Sequence, residues 1–200
     1  MNLRNVCAAL MAVPLLAACG KSEIQSADDQ IKRVWSEVAA HYRHRADLVP
    51  TLVHSVESHA MLERETLLRV SDACRQVDRL PRIADLDRDP QALASYQAVQ
   101  AELSTALLQL LVLADRYPNL KADASFRDIQ AQLEGNDGRI ALARNRFVQA
   151  VEHYNEALRT FPNNVLAWAF DYAPRPNLKR RAGTDSERLA PGDFGGAARH

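Results

Sequence analysis

Residues 125–161 read SFRDIQAQLEGNDGRIALARNRFVQAVEHYNEALRTF, and this stretch decides the fold. Apolar side chains recur in it at steps of three and four, the spacing of one face of an α-helix. Gly135 and Gly138 interrupt the pattern, and each costs up to about 1 kcal/mol in a helix unless close packing offsets it. We therefore interpret the two glycines as a close-approach point or a kink. The stripe comprises Phe126, Ile129, Leu133, Ile140, Phe147, Val151, Tyr154, Leu158 and Phe161.

An earlier stretch, from about residue 27 to Leu80, has the same period. Pro50 lies inside it, and proline removes one helical hydrogen bond while its ring clashes one turn back. Either the helix kinks at Pro50, or it stops near Arg45 and restarts with Asp47 as its N-cap. The predicted core positions are Ile31, Trp35, Val38, Tyr42, Val49, Leu52, Val56, Val70 and Val77.

Between these two arms lies a third helical stretch with a sharp start. Asp89-Pro90 places a capping carboxylate before a proline at the first helical position. Residues 107–114 are apolar nearly all round, so we expect this helix to be the most central one. Its predicted buried face is Tyr96, Leu103, Leu107, Leu110, Ala114 and Tyr117. Three long arms joined by short turns predict an all-α fold: a long antiparallel up-and-down bundle of three to four helices with coiled-coil-like stripes.

Composition narrows the class of protein. The 200 residues carry 25 basic and 25 acidic side chains, so no net field favours nucleic acid, and we expect no nucleic-acid partner. Apolar residue types make up 47% of the chain, which is enough for a sizeable core. Three cysteines cannot form a disulfide framework, and Cys74 lies in an apolar helical register, where we interpret it as a small buried hydrophobe.

The amino terminus has the pattern of a signal peptide. One positive charge precedes an apolar run over residues 6–18, which is too short to span a bilayer of about 30 Å. The run ends in Leu16-Ala17-Ala18-Cys19-Gly20, which resembles the lipobox of bacterial lipoproteins. That resemblance implies that Cys19 becomes the lipidated first residue of the mature chain, with palmitate among its acyl chains, and that Gly20, not being Asp, favours the outer membrane in a Gram-negative cell.

We therefore divide the chain into four regions. Residues 1–18 are a lipoprotein signal peptide, residues 19–26 a lipidated linker, residues 27–172 the helical bundle and residues 173–200 a disordered tail rich in Pro, Gly and Arg. Each buried methylene contributes about 0.8 kcal/mol to membrane binding, so two or three acyl chains hold a protein on a membrane without a transmembrane helix. We therefore predict that lipid alone anchors the protein.

Charged side chains interrupt the first and last arms. We predict that they form a polar network between helices, because interior charge is best attested as a device that fixes helix register. A catalytic or ligand-binding role would require a pocket and shifted pKa values. The candidate network is Arg45, Asp47, Glu134, Asp137, Arg139 and Arg144.

Other candidate sites are weaker. Glu37, His41 and His44 share one helical face, but a solvated surface explains them better than a metal site, and we predict no metal, cofactor or catalytic residue.

Trp168, Phe170 and Tyr172 either enter a membrane interface or a partner groove, or cap the end of the bundle. Basic residues 175 and 179–181 form a tail patch that we interpret as solvated.

Four blocks together resemble the LemA family of bacterial envelope proteins. The first is RHRADLVPTLV at residues 43–53, which is similar to a family block that ends in Pro-Asn-Leu-Val. The others are residues 102–111 with YPNLKA at 117–122, LEG with RIALAR over residues 133–144, and Tyr154-Asn155 followed by Phe161-Pro162. Thr51, Gly138 and Phe147 depart from the family's usual residues, and many members keep an N-terminal transmembrane helix where this chain has a lipobox. The resemblance implies a long antiparallel bundle with one end near the membrane and no established enzymatic activity.

These observations favour a non-enzymatic, lipid-anchored envelope protein that acts as a helical scaffold for unidentified envelope proteins. The alternative is a small-ligand or lipid-binding module with a cavity between its helices. A hydrolase built on Glu134, Asp137 and Arg139 is the third possibility.

Overall fold

The computed structural model describes residues 3–59, 64–80 and 88–178, with side chains described over residues 21–57, 64–80 and 88–178. Six α-helices make up this part of the chain, and no strand occurs in it. The helices are α1 (Leu3–His59), α2 (Arg64–Asp78), α3 (Pro90–Ala114), α4 (Pro118–Ala122), α5 (Ala124–Ala157) and α6 (Asn163–Ala169). The predicted all-α bundle is confirmed, with more helices than the three to four expected.

The predicted start of α3 at Asp89-Pro90 is confirmed by its cap, and α5 begins with a similar cap that was not predicted. The Asp89 carboxylate accepts hydrogen bonds from the backbone N–H groups of Gln91 and Ala92, at 2.8 and 3.1 Å, and Pro90 opens α3. Asp123 caps α5 in the same way by accepting from the N–H of Phe126 at 2.8 Å. Each carboxylate satisfies a donor that the first turn leaves without a helical acceptor.

Helices α1 and α5 form the longest packed pair and run antiparallel. Asp137 of α5 lies beside Arg45 of α1, whereas Arg146, further along α5, reaches back to Glu37. Helix α2 packs against α3 and α1. The expectation that α3 would be most central is wrong: α1 contacts the larger number of helices, and Val112 of α3 lies exposed.

Two apolar clusters fill the bundle, one beyond the other along its length. The first joins the middle of α1, from Ile24 to Tyr42, to the start of α3 and the carboxyl-terminal half of α5, with Trp35 against Tyr96 and Phe147 at ring-centroid distances of 5.5 and 5.1 Å. The second joins the end of α1, from Val49 to Val56, to α2, α4, the rest of α3 and the start of α5.

Of the two alternatives at Pro50, the stop near Arg45 with a restart capped by Asp47 is wrong, because α1 continues to His59. Proline has no N–H to offer the carbonyl four residues earlier, which belongs to Ala46. The thiol of Cys74 on α2 donates to that carbonyl at 3.7 Å, so a weak bond from a neighbouring helix replaces the missing one. Burial, and next the carboxylates of Asp78 and Asp47, raise the pKa of Cys74 and keep it protonated as a donor.

Both predicted domain edges need correction. Residues 21–26, expected to be a linker, belong to α1, and Ile24 is completely buried. Residues 173–178, expected to be disordered, pack against the bundle without forming a helix. Asn155 and Arg175 exchange two hydrogen bonds at 2.8 and 2.9 Å, Arg175 pairs with Asp28, and Leu178 is buried. The rest of the predicted tail, residues 179–200, lies outside the described residues, as do residues 81–87 between α2 and α3.

The predicted core stripes are confirmed apart from a few edges. Val77 and Tyr117 are only partly buried, and Phe161 is exposed because α5 ends at Ala157 and the helical register stops there. The expected close approach at the α5 glycines is wrong, because a Cβ built on Gly135 or Gly138 would meet no atom within 4 Å. Helix α5 continues through both positions.

Candidate functional site

Three buried polar residues separate the two apolar clusters. Arg45 lies between Tyr42 and Val49 on α1, Gln100 between Tyr96 and Leu103 on α3, and Asn136 between Leu133 and Ile140 on α5. Their exposed fractions are 3%, 2% and 2%. We call these three residues the polar layer, because they occupy the stripe positions at which each helix would otherwise continue its apolar face.

Arg45 is the centre of the polar layer. Its Nη2 donates to the backbone oxygen of Gln100 at 3.0 Å and to the side-chain Oε1 of the same residue at 2.8 Å. Its Nη1 donates to Ser104 Oγ at 2.7 Å and lies 3.5 Å from Asp137 Oδ1. The guanidinium also stands 5.3 Å from the ring centroid of Tyr42. One side chain of α1 therefore contacts both α3 and α5.

Two further bonds tie α1 to α5 around the polar layer. Asn136 Nδ2 donates to the backbone oxygen of His41 at 3.0 Å, and Arg144 Nη1 donates to the hydroxyl of Tyr42 at 2.7 Å. A shift of one helix along the other would break both bonds and would move the Arg45 charge among apolar side chains. The chemistry of the layer therefore suits the fixing of helix register.

Tyr96 borders the polar layer, and the pKa of its hydroxyl lies well above its usual value. Burial, and next the nearby Tyr42, raise the pKa of Tyr96 to about 12, although a hydrogen bond with the Gln100 side chain and the charge of Arg45 act in the opposite direction. The phenol is therefore neutral throughout the physiological range.

The structure brings together three of the six predicted network residues. Arg45 and Asp137 form an ion pair between α1 and α5, and Arg144 joins α1 through Tyr42. Glu134 instead accepts from Gln130 one turn away on its own helix, and Asp47 and Arg139 lie on the surface. The predicted network did not include Gln100 or Asn136, although each interrupts an apolar stripe and that interruption was a usable signal.

Two of the three α1 residues considered as metal ligands, Glu37 and His41, instead accept hydrogen bonds from α5. Glu37 Oε1 accepts from Arg146 of α5 at 2.9 Å, and the backbone oxygen of His41 accepts from Asn136. Within the part of the chain that the structure describes, no group of three or more His, Cys, Asp or Glu side chains is arranged to hold a metal ion.

A groove of about 620 Å³ runs between α1 and α5 near the amino-terminal end of the bundle. Polar side chains make up much of its wall, and it opens to solvent. Its lining residues are Glu23, Ser26, Ala27, Gln30, Val34, Arg146, Gln149, Ala150 and His153. None of the three polar-layer residues lines it.

One helix among the described residues, α3, is long and apolar enough to cross a membrane by length and composition. The same property is common in a helix that packs in the core of a bundle. Leu93, Leu103 and Leu110 of α3 are buried here against other helices.

Together these features define a class of protein: an antiparallel helical bundle whose long helices are aligned by a buried polar layer. The chain belongs to the LemA family, whose family model matches residues 34–191. Membership in this family indicates a helical protein associated with the membrane of the cell envelope. A search among curated proteins finds no match.

Proposed function

We propose that this protein is a lipid-anchored, non-enzymatic scaffold of the cell envelope, which faces the periplasm and presents its helix surfaces to other envelope proteins. The observation that carries the proposal is the continuity of α1, which runs unbroken from Cys19 into a core that extends to Val56. From residue 19 to residue 59 such a helix spans about 60 Å at 1.5 Å per residue. A lipidated Cys19 would therefore stand at one end of a long rigid body.

The anchor is supported by the sequence around Cys19. Small residues at Ala17, Ala18 and Gly20 suit a cleavage site, and an apolar run of signal-peptide length precedes them. Two or three acyl chains provide stable membrane attachment without a transmembrane helix. Gly20 favours the outer membrane if the cell is Gram-negative.

The scaffold role is supported by how the charged side chains are used. Arg45 and Asp137 bind each other, and Arg144 binds Tyr42, so these groups hold helices together. The outer faces of the long helices stay accessible, including Leu142 on α5, which is more than half exposed. Accessible apolar side chains on rigid helices suit the docking of protein partners.

The anchor is tested by the mass of the mature amino-terminal peptide. Wild-type protein should yield a peptide that begins at Cys19 and carries acyl chains, and it should sediment with membranes after an alkaline wash. Cys19→Ala should lose both the acyl mass and the sedimentation. An unmodified amino-terminal peptide in wild-type protein would overturn the lipid anchor.

The scaffold role is tested by a photo-crosslinking amino acid placed at Leu142 in growing cells. We expect a reproducible adduct with an identified envelope protein. The matched control places the same group at the buried Phe147, where only intramolecular adducts should form. If exposed positions along α3 and α5 yield no protein adduct, the scaffold proposal is wrong.

A second candidate function follows from the groove between α1 and α5. Its volume lies within the roughly 300–1,000 Å³ typical of small-molecule sites, although such sites are usually more enclosed and more apolar. Binding of a small envelope metabolite or a single lipid, lost in Ala150→Trp and retained in Leu142→Trp, would favour this candidate. An unchanged melting temperature across such ligands would exclude it.

A further inference from the structure

The segment from Phe161 to Phe170 exposes large apolar side chains at high density. Of the eight such side chains that are exposed in the described residues, four lie in these ten positions: Phe161, Val165, Trp168 and Phe170. Trp168 is 86% exposed and Phe161 is 78% exposed. We call these four residues the aromatic patch. Val165 and Trp168 are three residues apart in α6 and therefore share one face of that helix.

The aromatic patch meets α1 through Phe170, beside Lys21, where the described side chains of α1 begin. Lys21 Nζ stands 4.9 Å from the ring centroid of Phe170. Asn163, the first residue of α6, donates through Nδ2 to Glu23 Oε2 at 2.9 Å. Leu166 and Ala167, on the other side of α6, pack against the first apolar cluster. Helix α6 is therefore fixed at the end of the bundle where α1 enters it.

This end is also the one nearest the proposed lipidation site. Helix α1 is continuous from Cys19 to the buried Ile24, so no flexible tether separates the acylated residue from the bundle. Lys21 lies only about 3 Å further along the helix axis than Cys19, at 1.5 Å per residue. Acyl chains on Cys19 would therefore hold the aromatic patch at the level of the lipid headgroups.

We propose that the aromatic patch inserts into the headgroup region of the bilayer that holds the acyl chains and seats the bundle end-on upon it. This inference rests on the proposed lipid anchor. Tryptophan and phenylalanine at one edge, with a lysine beside them, are the side chains that membrane interfaces accept: the rings enter the apolar boundary and the ammonium remains in water. The occupant is the lipid surface, because the anchor brings that surface to the patch.

The chain contains its own reporter for this contact. Its two tryptophans are Trp168 in the patch and Trp35, which is buried in the first apolar cluster. The full lipidated protein is reconstituted into vesicles of phosphatidylethanolamine and phosphatidylglycerol with brominated acyl chains, which quench tryptophan on contact. We expect a blue shift and loss of most of the Trp168 emission, and we expect Trp168→Phe, which retains Trp35, to show neither.

A matched control moves the reporter along the bundle. In the Trp168→Phe background, Leu142→Trp places an exposed indole near Arg144, which contacts Tyr42. That level is about 35 Å along α1 from Cys19, so emission from this variant should remain unquenched. Quenching equal to that of Trp168 would show that the bundle lies flat on the bilayer, which would overturn end-on seating.

The remaining outcomes separate this inference from the proposal on which it rests. If the lipidated protein floats with the vesicles but Trp168 stays unquenched, the inference is wrong and the lipid anchor stands. A blue shift in native envelopes without quenching by brominated lipid would mean that a protein covers the patch, which also overturns the inference. Failure of the wild-type protein to acquire acyl chains would overturn the anchor and, with it, the inference.

Discussion

Nη1 of Arg45 lies 3.5 Å from Oδ1 of Asp137, and this ion pair joins α1 to α5 where the two apolar clusters meet. The two partners differ in environment, because the Arg45 side chain is almost fully buried while a third of the Asp137 side chain is exposed. A buried charge is tolerated when its hydrogen bonds are satisfied. Gln100 and Ser104 of α3 provide those further acceptors for Arg45.

The first prediction concerns Arg45→Met. It leaves the buried Oε1 of Gln100 without its donor, which should lower the free energy of unfolding by about 1–3 kcal/mol. Arg45→Met with Gln100→Leu replaces both partners by apolar groups and should recover part of that loss. Urea unfolding measures both variants. Losses that simply add would show that Arg45 and Gln100 do not stabilise each other.

The second prediction concerns the bond between Cys74 and the Ala46 carbonyl that Pro50 leaves without a helical donor. Cys74→Ser keeps a donor and should be more stable than Cys74→Val by about 0.5–1.5 kcal/mol, the usual net value of a hydrogen bond. Without that bond the reverse order is expected, because Val is the better apolar replacement in a half-buried position. Chemical denaturation at neutral pH distinguishes the two orders.

The third prediction concerns the exposed glycines of α5. Gly135→Ala and Gly138→Ala should each raise the free energy of unfolding by up to about 1 kcal/mol, because alanine loses less backbone entropy and its Cβ meets no atom within 4 Å. Thermal unfolding of the single and double variants measures the gain. A decrease would mean that something outside the described residues approaches this face of α5.

The fourth prediction concerns alkaline pH. Because the folded protein raises the pKa of Tyr96 from 10.0 to about 12, the phenol is protonated in both folded and unfolded states below pH 10 and contributes no pH dependence there. Between pH 10 and 12 only the unfolded state releases the proton, so the free energy of unfolding should fall by about 2–3 kcal/mol.

Tyr96→Phe is the control for that measurement, since it removes the hydroxyl and keeps the ring. The variant should lose less stability than wild type between pH 10 and 12, with a residual slope from Tyr154, whose pKa burial also raises. Urea midpoints at several pH values provide the comparison. Equal slopes in the two proteins would show that Tyr96 titrates normally in the folded state.

Much of the fold was predictable because its signals are local. The caps at Asp89 and the apolar stripe of α5 depend on residues within a few turns of each other, and both predictions are confirmed. The continuity of α1 through Pro50 was not predictable in this way. The replacement donor for the Ala46 carbonyl is Cys74, which lies 28 residues from Ala46 in the chain and reaches it from another helix.

The candidate site was predictable only in part. The sequence marked Arg45 and Asp137 as charges that interrupt apolar arms, but it gave equal standing to Asp47 and Arg139, which lie on the surface. Whether a polar side chain is buried depends on the helix that packs against it as well as on the helix that carries it. Phe161 shows the converse, since its spacing suited the core but α5 ends four residues before it.

The sequence by itself determined the helical class, the buried faces and the family resemblance of this protein, because helical period and capping act over a few residues. Only the tertiary structure decided how the helices align. Alignment sets Arg45, Gln100 and Asn136 at one level, packs residues 173–178 against α5 and places Phe170 beside Lys21. These relationships join residues far apart in the chain, and packing between whole helices fixes them.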